Sequence, residues 1–97
     1  MIEILAIGTN RPIMETISRL IDKDENWRAT IAFSYEEACQ ICTEKDFKVA
    51  LFGAGLTTAE ENDLAELLHK LNPTLPIVKH YGGGSGLLYA EIYQAIG

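Results

Sequence analysis

The run Lys48-Val49-Ala50-Leu51-Phe52-Gly53-Ala54-Gly55-Leu56-Thr57-Thr58-Ala59-Glu60-Glu61 decides the fold. Its first part is apolar without alternation, the pattern of a strand covered on both faces, as in parallel sheets. Two glycines then turn the chain. Thr57 and Thr58 each stand three residues before a glutamate, giving two registers of a capping box, in which hydroxyl and carboxylate satisfy each other's free N–H groups. Leu64, Leu67, Leu68 and Leu71 continue as the buried stripe of a helix. Its acidic residues come early (Glu60, Glu61, Asp63) and Lys70 late, as the helix dipole favours, and Asn72-Pro73 stops it. His69, near its end, reads as a surface residue that suits the dipole. A strand, a tight turn and a capped helix make one βα unit.

The same unit recurs on both sides. Upstream, Ile2 to Ile7 is a short apolar strand ended by Gly8-Thr9-Asn10, with Asn10 as N-cap and Pro12 in the first helical turn. Ile13, Ile17, Leu20 and Ile21 follow at helical spacing with Met14 alongside, and the helix fades into Asp22-Lys23-Asp24-Glu25-Asn26. Trp27 to Phe33 reads as a second strand, and its Arg28 and mixed pattern mark an edge. Ser34-Tyr35-Glu36-Glu37 is a capping box for a helix carrying Ala38, Ile41 and Cys42 inward. Phe47 to Phe52, the most apolar strand, belongs at the centre. Downstream, Leu75-Pro76-Ile77-Val78 opens a fourth strand. His80-Tyr81-Gly82-Gly83-Gly84-Ser85-Gly86 leads from it into a last helix with two faces, Leu88, Ile92 and Ile96 on one, Tyr89 and Tyr93 on the other. Four βα units with short connections demand a parallel sheet with right-handed crossovers. The expectation is an α/β fold of three layers, α/β/α, with strand order 2-1-3-4.

Composition excludes several classes of function. The 97 residues make one domain, 1–97, with 47% hydrophobic residues for a modest core. No apolar run reaches the ~20 residues of a membrane span. Met1 runs directly into an apolar strand with no basic leader, so the chain reads as cytoplasmic, without a membrane. A net charge of −6, with scattered basic residues, argues against nucleic acid. Cys39 and Cys42 have C-x-x-C spacing, but Glu36, Glu37, Glu44 and Asp46 surround them and no second ligand pair exists. They read as small apolar helix residues, and no metal or cofactor is expected.

With its strands Ile4-Leu5-Ala6-Ile7, Lys48-Val49-Ala50-Leu51-Phe52 and Leu75-Pro76-Ile77-Val78, the chain resembles the receiver domains of two-component response regulators, a flavodoxin-like fold, over most of its length. Receivers place an acidic pair after strand one to hold Mg²⁺; here Gly8 and Thr9 stand there. Their phosphate-accepting aspartate corresponds to Gly53, the hydroxyl residue ending strand four falls near Tyr81, and the fifth strand, its helix and the lysine are missing. Phosphoryl transfer needs a carboxylate nucleophile and a metal. The resemblance therefore implies a degenerate, truncated receiver-like domain that is not phosphorylated in the family's manner. Tyr81 to Leu88 is also similar to a signature of small bacterial receiver-like proteins, a likeness that implies no activity.

Ligands of open parallel sheets bind beyond the carboxyl ends of the strands, here near the turns Gly8-Thr9-Asn10, Gly53-Ala54-Gly55 and Tyr81 to Gly86. A phosphate- or carboxylate-bearing molecule would find backbone donors at Gly83, Gly84 and Gly86, with Thr9, Asn10, His80 and Ser85 as side-chain contacts. The turn matches neither a Walker pattern nor the dinucleotide fingerprint. The favoured reading is a protein-interaction module, with a homodimer or another protein as partner and the small anionic ligand as the alternative. An edge strand four would be a template for pairing, guarded by Lys79. Tyr81, Tyr89 and Tyr93 would add aromatic contact area. Catalysis is not expected, because no constellation accompanies His80.

Overall fold

A computed structural model describes residues 1–80 and 85–96. Among these, strands and helices alternate: β1 (Ile2–Ile7), α1 (Arg11–Asp22), β2 (Trp27–Ala32), α2 (Tyr35–Glu44), β3 (Val49–Phe52), α3 (Thr58–Leu71), β4 (Ile77–Lys79) and α4 (Ser85–Ile96). The four strands form one parallel sheet in the order β2-β1-β3-β4. β1 pairs with β2 from Ile2↔Trp27 to Ile7↔Ala32, and with β3 from Ile4↔Val49 to Ile7↔Phe52. β3 pairs with β4 from Ala50↔Ile77 to Phe52↔Lys79. The expected order and direction are both present.

Strand alternation divides the interior into two cores. Leu5, Ile7, Ala50 and Phe52 point to one face and are covered by Ala38 and Cys42 of α2 and Leu64 and Leu68 of α3. Ile4, Ala6, Val49 and Leu51 point to the other, covered by Met14, Ile17 and Ile21 of α1 and Leu88 and Ile92 of α4. Burial on both faces is why β1 and β3 read as unbroken apolar runs. α2 and α3 lie on one face, α1 and α4 on the other. A right-handed crossover from β4 to a strand beyond it would place its helix with α3. α4 takes the opposite face and closes the second core, and among the described residues no crossover helix covers the outer side of β4.

Helix ends follow the capping residues, with one shift. Asn10 Oδ1 accepts from Ile13 N at 3.2 Å, with Pro12 in the first turn. Thr57 and Glu60 form the full capping box, selecting the first of the two registers. At α2, Ser34 Oγ accepts from Glu37 N, but the Glu37 carboxylate accepts from Phe33 N at 2.9 Å, one residue earlier than a capping box requires. Two stripes also rotate. Met14 takes the buried place expected of Ile13, which is 36% exposed, and Leu71 is 51% exposed because α3 ends there. Glu61 is buried instead, its carboxylate 3.5 Å from the Lys79 ammonium.

Candidate functional site

At the carboxyl rim, the turns after β1 and β3 are packed on each other. Thr9 N and Asn10 N both donate to Ala54 O, at 3.0 and 3.3 Å, and Gly53 N donates to Ile7 O at 2.7 Å. Gly8 and Gly53 leave a space that the Met14 side chain fills completely, with no solvent exposure. A Cβ on Gly8 would stand 2.5 Å from Met14 Sδ and 2.8 Å from Ala54 O. A Cβ on Gly53 would overlap the same sulfur and lie 2.9 Å from its methyl. Gly55, at φ +105°, adopts a left-handed conformation, and its missing side chain lets Thr9 Oγ1 approach. The place where the resemblance would put acids and metal is thus occupied by a thioether and bare backbone. Among the described residues, no group of three or more His, Cys, Asp or Glu side chains gathers to hold a metal ion.

Three of the expected ligand contacts have partners within the chain. Asn10 spends its side chain on the α1 cap, and Thr9 is exposed with its N–H bonded to Ala54. His80 is buried at the end of β4; its N–H donates to Phe52 O, and its Nδ1–H donates to Glu91 Oε1 at 2.6 Å. Its ring therefore ties β4 to α4. Tyr81, Gly83 and Gly84 lie outside the described residues. Ser85 and Gly86 begin α4, and a Cβ on Gly86 would meet open space, so crowding does not require that glycine.

The interface residues lie on two sides of α4 and β4. Tyr89 and Tyr93 lean on Trp27, with ring centroids 6.0 and 4.9 Å away. Tyr89 donates to Leu20 O at 2.8 Å, and Tyr93 to Asp24 Oδ2 at 2.9 Å. Both rings thus serve the chain's own α1/α4 core, although Tyr93 keeps 57% of its surface exposed. The Asp24 carboxylate that accepts the Tyr93 proton raises that phenol above its ordinary value. Lys79 stands at the edge, its ammonium 3.5 Å from the Glu61 carboxylate.

β4 hydrogen-bonds β3 through alternate residues: Pro76 O accepts from Ala50 N, and His80 N donates to Phe52 O. In a parallel ladder this alternation turns the N–H and C=O groups of Ile77 and Lys79 away from β3. A groove of about 440 Å³ runs beside them, lined by Pro76, Ile77, Val78, Glu91, Gln94 and Ala95. It abuts a second hollow of about 270 Å³ through the shared Pro76 and Ala95.

Neither Glu91 nor Met14 stood out in the sequence. Glu91 is eleven residues from His80 with no local motif, and Met14 looked like one more apolar helix residue. His69 has more than a surface role, since its Nε2–H donates to Leu75 O at 3.0 Å and steadies the turn into β4. Both cysteines are free; burial pushes the Cys42 thiol up, and that thiol donates to Cys39 O, consistent with a packing role.

No protein-family model matches the chain, and no curated protein matches it. Solved structures do. A response regulator from Thermotoga maritima, crystallised with Mg²⁺ and BeF, superposes with a TM-score of 0.83 at 12% identity, covering 98% of this chain and 99% of that one. A receiver domain from Clostridium thermocellum gives 0.84 at 18% identity, covering 99% and 94%. A putative pilus assembly protein from Burkholderia thailandensis gives 0.62 at 25% identity, covering 98% and 80%. The chain has the receiver fold, and at such identities the likeness establishes architecture alone.

Proposed function

We propose that this receiver-fold chain is a non-catalytic regulatory module that works by protein contact and takes up no phosphoryl group at the end of β3. One observation carries the reading: Met14 fills the space between Gly8 and Gly53. A phosphoryl acceptor there would need a carboxylate, a metal to offset developing charge, and room for both. Among the described residues, the turns after β1 and β3 place Gly8, Thr9 and Gly53 at these positions instead of carboxylates, and Met14 takes the room. Among the described residues β4 is an edge strand with the flank of α4 beside it, and contact through that side, with a second copy or another protein, is the role this reading assigns.

Incubation with acetyl phosphate and Mg²⁺, followed by intact-mass measurement, tests the first half. The mass is expected to stay unchanged; an acid-stable or acid-labile phosphoryl adduct would overturn the reading. Sedimentation velocity tests self-association, which a lone 10.7 kDa species at high micromolar concentration would refute.

A further inference from the structure

The geometry points to the β4 edge as a docking site for an extended segment of another protein, one that adds as a further strand and carries a basic side chain toward Glu91. The inference rests on the reading that this chain acts by protein contact, and it names the partner's chemistry. Three features converge. First, the main-chain groups of Ile77 and Lys79 point away from β3, on a strand whose outer side has no crossover helix among the described residues. They form the donor and acceptor row that strand addition uses. Second, the groove beside them shares Pro76 and Ala95 with the next hollow, so an occupant can continue toward the amino end of β4, where Lys48 stands, while the Glu91 end takes the basic side chain. Third, its α4 wall has a consistent chemistry. Glu91, Gln94 and Ala95 line it from α4, and among the described residues Glu91 is the one charged side chain on the groove of about 440 Å³.

Charge selects the occupant. The body carries −6 and the groove presents a carboxylate, so the field favours a cationic segment. A second copy is the poorer fit. Two-fold antiparallel pairing centred on Val78 would put both Lys79 side chains on the same face of the joined sheet and bring two −6 bodies together. A basic residue on the α4 face of the added strand meets the Glu91 carboxylate that also accepts from His80 Nδ1–H, while apolar residues on that face meet Val78 and Ala95.

The test uses the full chain and a displayed library of random short peptides. The peptide enriched most strongly is then synthesised and its affinity measured by titration. Enriched peptides are expected to share a Lys or Arg at one position flanked by β-branched residues. N-methylation of that peptide should weaken binding about tenfold at every second residue and little between, because each affected N–H loses a ladder hydrogen bond. Glu91→Gln, which keeps an oxygen to accept from His80 Nδ1–H and so preserves the β4–α4 tie, should weaken binding several-fold and lessen its salt dependence. Ile77→Pro should abolish it, while circular dichroism reports an intact fold, since the lost N–H points outward. Enrichment without a shared basic residue, or indifference to N-methylation, would overturn the proposal. So would failure to enrich, or a dimer that Ile77→Pro converts to monomer. An unchanged acetyl-phosphate result beside any of these leaves the rim reading standing and removes the strand-addition mode alone.

Discussion

Met14 suits the gap between Gly8 and Gly53 because an unbranched thioether can follow an irregular cavity that a β-branched side chain cannot. The match has a cost that can be measured. Gly53→Asp inserts a carboxylate where the sulfur already lies, and overpacking of this kind costs about 1–3 kcal/mol. Urea denaturation should show that loss, and Met14→Ala in the Gly53→Asp background should recover part of it. Met14→Ala alone should destabilise by about 2–5 kcal/mol through the cavity it leaves. Equal additive losses in the double variant would mean the two sites do not share space. Tyr93 gives a second test at this scale. Its hydroxyl donates to Asp24, which raises its folded pKa above the ordinary phenol value of 10.0. A raised folded value means the contribution is complete below the unfolded pKa and is lost as pH rises through the folded one. Thermal melts should therefore show the advantage of the wild type over Tyr93→Phe shrinking above pH 10, by an amount that solvent screening keeps small.

Helix ends show how far local signals reach. The Thr57–Glu60 capping box was legible because both partners lie within one turn, and Thr57→Ala should cost about 1 kcal/mol in equilibrium unfolding. Glu37 looked identical in spacing, yet its carboxylate serves Phe33 N, since Ser34 is extended at φ −154° and ψ 164° and that donor lies within reach. Strand order and direction were equally legible, because short connections between alternating elements leave few topologies. Three things were not. The pairing of His80 with Glu91, the burial of Glu61 and the choice of Met14 over Ile13 each depend on what a helix packs against. Helical periodicity narrows that to a face but does not name the neighbour. The same limit hid the side of the sheet that α4 would occupy: Leu88 with Ile92 and Tyr89 with Tyr93 were both visible as faces, but no spacing says which layer receives them.

At the scale of the molecule, β1 and β3 are shared by both cores, and β1 lies between β2 and β3. Leu5 and Ile7 belong to the α2/α3 core, Ile4 and Ala6 to the α1/α4 core, and all four are fully buried. Disrupting either face therefore loosens the strand that the other face is built on, and the cores should melt as a unit. Trp27 makes this measurable, since it lies in the α1/α4 core against Tyr89 and Tyr93 and is the chain's sole tryptophan. Its fluorescence reports that core, whereas far-ultraviolet circular dichroism reports all the helices. Ile92→Ala and Leu64→Ala, one on each face, should each destabilise by about 2–5 kcal/mol. In both variants the fluorescence and dichroism transitions in urea should coincide. If Ile92→Ala instead shifts the Trp27 transition to lower urea and leaves the dichroism transition behind, α4 detaches on its own. The edge of β4 would then be held by β3 and α3 without help from the last helix.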